Sequence, residues 1–144
     1  MASINKGRVL LGGLAGAAGW AALDFGINGA VLGSRYPAAQ QAGHFLAEPR
    51  YGSFVVLWLL SLVAISFIVA LLYASVRTTC GAGPKTALCI GAMVGFAAAF
   101  PMNLSMATWG TFDRIFPLWW GIDLWAGAMV AALIAGAIYR EPAA

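Results

Sequence analysis

Residues 53–76 read SFVVLWLLSLVAISFIVALLYASV, an apolar run without one charged side chain. About 20 such residues in an α-helix cross the hydrocarbon core of a bilayer. Three further stretches of the same character lie at about 9–32, 86–108 and 118–139. The chain thus reads as an all-α, polytopic membrane protein. It is a four-transmembrane-helix bundle forming a single transmembrane domain over residues 1–144.

Composition supports this class. Hydrophobic residues make up 62% of the chain and charged residues 9%, against about 45–50% and about 25% in soluble domains. So few charges cannot cover a water-facing surface, whereas lipid accepts an apolar one. The net charge of +3 comes from basic residues placed singly beside apolar runs. That is the placement of helix-end anchors, and it argues against nucleic-acid binding. The first run follows Lys6 and Arg8, as a signal peptide would. It continues to Leu32, beyond the 7–15 residues of a cleaved apolar region, and reads as a retained span.

Between the spans, residues 33–52 form the longest loop, and its middle, residues 38–47, suggests a short interfacial helix. Residues 77–85 read as a tight turn marked by Gly81, Gly83 and Pro84, which puts Cys80 in a loop. Residues 109–117 form the third connection. Lys6, Arg8, Arg77, Lys85 and Arg140 fall on one side, and Arg35, Arg50 and Arg114 on the other. The positive-inside rule then places both termini in the cytoplasm. Tyr36, Tyr51, Trp109, Trp119, Trp120 and Tyr139 lie near span ends, where an aromatic belt belongs.

Small residues recur at four-residue spacing: Gly12 with Gly16, Gly29 with Gly33, Gly91 with Gly95, and Gly127 with Ala131. In lipid such stripes let helix backbones approach closely. Packing within one bundle is the plainer use, and dimerisation the other. The second span carries no such stripe and is expected to face lipid most broadly. A shift of 75 positions also lays Gly16 on Gly91, Phe25 on Phe100 and Asn28 on Asn103, which suggests two repeated helix pairs.

Polar residues within spans are costly, so each demands a reason. Asp24 and Asn28 lie one helical turn apart. Asn103 follows Pro101, which frees a carbonyl and kinks its helix. Asp123 follows Trp119 and Trp120, where an interfacial, wet setting is the plain expectation. All four fall in the outer half of the membrane. Facing inward, they would form a site able to bind a cation or relay protons. The structural alternative is a set of interhelical hydrogen bonds. Ser61 and Ser66 are expected to bond back to carbonyls of the preceding turn. His44 and the cysteines Cys80 and Cys89 lack ligand spacing, so neither a metal nor another cofactor is expected. No catalytic motif is present, and the chain does not read as an enzyme.

The stretches LDFGINGAVL (Leu23–Leu32), GAGPKTALCIG (Gly81–Gly91), LWWGIDLWAG (Leu118–Gly127) and AGAIYRE (Ala135–Glu141) resemble a group of small bacterial membrane proteins. The resemblance implies four helices and a bacterial inner membrane. It marks Asp24, Asn28, Gly29 and Asp123 as matching positions and implies no activity. Three functions follow from these readings. The first is a structural or accessory subunit of a membrane complex, or a homo-oligomer. The second is a small transporter or channel-like protein using Asp24 and Asp123. The third is a cofactor- or pigment-associated subunit. Besides the lipid bilayer, a membrane-protein partner or a second copy is the expected company.

Overall fold

The computed structural model describes residues 4–141. The helices are α1 (Lys6–Gly26), α2 (Arg35–Gln41), α3 (Phe54–Cys80), α4 (Pro84–Trp109) and α5 (Ile115–Ile138). The four long ones are each long and apolar enough to span a membrane, α1 together with the π-turn that follows it. The chain is a multi-pass membrane protein with an all-α four-helix bundle. The end that carries both chain termini is called here the terminal end, and the opposite one the distal end.

α5 is the hub, packed against α1, α3 and α4. Its small residues explain this. Gly12 and Gly16 of α1 lie on Ala135 and Ala131, and Gly91 and Gly95 of α4 lie on Ala128, Met129 and Trp125. Lipid supplies no hydrophobic drive for association, so this close van der Waals contact carries much of the packing. The glycine stripes are thus used within the chain. Gly16 and Gly91, paired in the sequence shift, both face α5, so the matched positions make no two-fold set of contacts. α3 has the highest mean hydropathy, 2.9, and is the least buried span.

Two glycine expectations need correction. Gly29 is exposed, and a Cβ there would meet nothing within 4 Å. It lies in the π-turn and faces away from the other helices, so the Gly29–Gly33 pair is not a packing stripe. Gly127 is buried but not for backbone approach: it makes room for the indole of Trp20.

The connections are tighter than expected. α2 begins at Arg35, and Gly43, at φ 76°, ends it. The His44 and Gly43 N–H groups bond back to the Ala39 and Gln40 carbonyls, closing the helix end before residue 47. α3 runs on to Cys80, and Pro84 opens α4 at a position where its missing N–H costs nothing. Only residues 81–83 link the two helices, and Cys80 is an exposed helix end rather than a loop residue.

At the terminal end, Arg77 lies over the Tyr139 ring at 5.0 Å. It donates from Nη1 to the Tyr139 carbonyl at 3.3 Å and pairs with Glu141 at 3.5 Å. The Tyr139 hydroxyl accepts the Asn5 N–H at 3.1 Å. Tyr139 is therefore a buried clasp between the two chain ends, not a member of an aromatic belt. Trp109, by contrast, is 84% exposed at the end of α4.

Candidate functional site: a buried carboxyl pair

The site begins with a break in helix regularity. The Asn28 side chain donates to the Asp24 carbonyl at 3.1 Å, the acceptor that a regular helix gives to the backbone N–H of residue 28. A polar side chain competing for that carbonyl disturbs the ladder. Residues Ile27–Val31 form a π-turn, in which Leu32 N–H reaches the Ile27 carbonyl at 3.1 Å. Such single turns are frequent at functional sites. The chain then folds back through α2, which returns Tyr36 towards α1.

A directed hydrogen-bond chain results. Trp120 Nε1–H donates to the Tyr36 hydroxyl at 3.0 Å. Tyr36 donates in turn to Asn28 Oδ1 at 2.7 Å. Asn28 Nδ2–H donates to Asp24 Oδ1 at 3.1 Å, and Trp58 Nε1–H donates to the same oxygen at 3.1 Å. Because an indole can only donate, Trp120 forces Tyr36 to use its own proton on Asn28. Burial pushes the Tyr36 phenol above its ordinary value, an effect the Trp120 hydrogen bond only partly offsets, so it remains a donor.

Asp123 of α5 completes the site. Asp24 is 3% and Asp123 1% exposed, and their carboxyl groups lie within hydrogen-bonding reach of each other. Asp123 is therefore not the wet, interfacial residue that its place near a span end suggests. The reason is tertiary: α1 and α3 cover that face of α5. Trp20, fully buried, lies beside the same carboxyl. Trp20 Nε1 and Asp123 Oδ1 are both left without a partner. No basic side chain bonds or pairs with either carboxyl among the described residues.

Above the pair, towards the distal end, sits an aromatic plug. Phe45 packs on Phe116 at 4.9 Å and on Phe112 at 5.2 Å, and Tyr36 on Phe116 at 5.2 Å. Trp120 joins this cluster, which separates the carboxyls from the distal surface. Tyr36 and Trp120 are thus part of the site rather than a membrane belt.

Asn103 is not brought into the site. Its Nδ2 bonds the Ala99 carbonyl of its own helix at 2.8 Å, and its side chain faces Gly121 in a groove on another side of α5. Ser61 bonds back to the Trp58 carbonyl at 2.6 Å as expected, whereas the buried Ser66 hydroxyl has no partner. His44 is exposed, and no group of three metal-ligating side chains occurs among the described residues. Trp20, Tyr36, Trp58 and Trp120 were invisible as site residues in the sequence. The one signal was in α5, where Trp119, Trp120 and Trp125 flank Asp123.

Replacing Tyr36 with phenylalanine should lower stability by about 1 kcal/mol, since it deletes two contacts worth roughly 0.6 kcal/mol each in a bilayer. Thermal unfolding in micelles measures this. An unchanged midpoint would mean that the chain contributes no stability.

No protein-family model, curated protein sequence or solved structure matches this chain.

Proposed function

We propose that this chain is a small proton- or cation-handling carrier of a bacterial inner membrane, with both termini in the cytoplasm. The observation that supports this reading is the Asp24–Asp123 pair: two buried carboxyls on different helices, close to each other, with no basic partner among the described residues. Two carboxylates cannot both ionise in so dry a site unless a positive charge lies between them. A shared proton or a bound monovalent cation supplies it. The unpartnered Asp123 oxygen and Trp20 N–H mark where hydrogen bonding changes when the charge arrives or leaves. The chain from Trp120 through Tyr36 and Asn28 holds Asp24 in place, and the aromatic plug is the part that must yield for exchange with the distal surface. The five basic residues near the terminal end support the orientation, under the positive-inside rule.

The test is proton or cation flux into proteoliposomes carrying a trapped pH dye. Wild-type protein should dissipate an imposed gradient faster than empty vesicles. Asp24→Asn and Asp123→Asn, which keep shape and remove charge, should return the rate to the empty-vesicle level. A wild-type rate equal to that of empty vesicles overturns the reading.

A second reading is an accessory subunit of a membrane complex or a homo-oligomer. It is favoured by the fact that neither the groove between α4 and α5 nor the cavity beside Tyr73 and Arg77 touches the pair, as suits a static brace between α1 and α5. A partner retained through gentle-detergent purification, together with no flux, would select it.

A further inference from the structure

α4 and α5 touch closely at one end and part at the other. At Gly95 an added Cβ would lie 2.8 Å from the Trp125 carbonyl, so the backbones meet. Trp125 Nε1–H also donates to the Ala92 carbonyl at 3.0 Å, bolting the two helices together at this level. Nearer the distal end, an added Cβ at Gly121 would first meet the Asn103 side chain of α4, at 3.6 Å. From the Gly95 level towards the distal end opens a groove of about 690 Å³. Phe96, Phe100, Leu104 and Leu118 form its walls, Gly121 its floor, and Asp113 and Arg114 its mouth. The Asn103 amide N–H is turned to its own helix, so the wall is apolar in effect.

The dimensions choose the occupant. From Phe96 to Ala107 the groove follows α4 for eleven steps of about 1.5 Å, or about 16 Å. One leaflet of hydrocarbon is about 15 Å deep, half of a core of about 30 Å. Spread over that length, the 690 Å³ gives a mean cross-section of about 40 Å². That length and width admit an extended acyl chain. The mouth selects the headgroup. Arg114 and Asp113 are adjacent and exposed, and the only ion pair among the described residues is elsewhere, between Arg77 and Glu141. One Asp113 oxygen accepts the Ile115 N–H at 3.0 Å, and the other has no hydrogen-bond partner. A positive and a negative charge side by side complement a phosphate followed by an ammonium.

We propose that this groove binds one zwitterionic phospholipid from the distal-side leaflet. An acyl chain lies along Phe96, Phe100 and Gly121, the phosphate on Arg114 and the ammonium on Asp113. The inference is independent of the carboxyl pair, since the groove does not reach Asp24 or Asp123.

Native mass spectrometry of the detergent-purified protein, titrated with phosphatidylethanolamine or phosphatidylglycerol, tests it. Wild-type protein should retain one phosphatidylethanolamine, and bind phosphatidylglycerol about tenfold more weakly. Asp113→Asn, which keeps the oxygen that caps Ile115, should erase that preference. Arg114→Gln should weaken both lipids. Gly121→Leu should abolish retention by filling the floor. If that variant loses helicity, the two charge variants at the exposed mouth decide alone. Equal retention of both lipids by wild type, or retention of phosphatidylethanolamine unchanged in Asp113→Asn and Arg114→Gln, overturns the proposal.

Discussion

Gly127→Ala should destabilise the bundle by about 1–3 kcal/mol, the usual range for forcing an extra methyl into a filled core. The added Cβ would fall on the Trp20 indole, where Nε1, Cδ1 and Cε2 are its nearest neighbours. Trp20 has no exposed surface to retreat into. Either the ring changes rotamer or α1 moves away from α5, and both outcomes disturb the Asp123 carboxyl one turn earlier on α5. The change should therefore appear twice, in the thermal midpoint and in indole fluorescence. Trp20→Leu in the same chain should recover part of the loss, because the large ring is the obstacle. A double-mutant cycle reads that coupling directly. Additive effects of the two substitutions would mean that Trp20 and Gly127 do not share this space.

Gly91→Ala should cost about as much, for a different reason. There the Cβ would stand 2.7 Å from the Ala128 carbonyl oxygen, 2.7 Å from Met129 Cα and 2.8 Å from Ala132 Cβ. Backbone cannot rotate aside, so α4 as a whole must move out from α5. Helix propensity works in the opposite direction, favouring alanine by up to about 1 kcal/mol, and the steric term should outweigh it. Gly12→Ala provides the control. Its nearest contacts would be 3.2–3.4 Å, which a few tenths of an ångström relieve, so propensity and packing should nearly cancel. Unfolding of the two variants and wild type in micelles should rank Gly91→Ala well below Gly12→Ala and wild type. A Gly91→Ala midpoint equal to wild type would show that the α4–α5 contact is looser than its geometry.

These two predictions rest on packing, whereas the carboxyl network adds only modest stability. Interhelical polar contacts in a bilayer average roughly 0.6 kcal/mol. The three hydrogen bonds from Trp120 to Asp24, and the one from Trp58, therefore do more to fix positions than to hold helices together. A buried ionisable pair that adds little stability yet costs something to insert is better explained by use than by architecture. That weighing supports placing the function at Asp24 and Asp123.

How much was readable in the chain itself differs from residue to residue. The four spans were fully legible, because crossing a bilayer is a property of local composition and length. Asp24 and Asn28 were legible as a pair, since one helical turn puts them on one face. Asn103 was not separable from them. Its place along its helix is like theirs, and only the rotation of α4 about its axis turns it into the groove beside α5. The stripes Gly12–Gly16 and Gly91–Gly95 were legible as contact faces, but their common partner on α5 was not. Gly29 carried the same spacing, yet a Cβ there would meet no other helix, because the π-turn breaks the helical register on which such spacing depends.

The sequence by itself determined that this protein is four apolar helices with its polar residues gathered in one half. That follows from one-dimensional properties, namely run length, charge spacing and small-residue period. Only the tertiary structure decided that Asp123 is dry and lies close to Asp24, that four aromatic side chains surround the pair, and that Asn103 stands apart. Those facts depend on helix rotation and on which neighbours α5 collects. In a nearly uniform apolar solvent, neighbour choice leaves little mark in any one helix. It is settled by shape, where a missing Cβ lets one backbone, or one indole, come close.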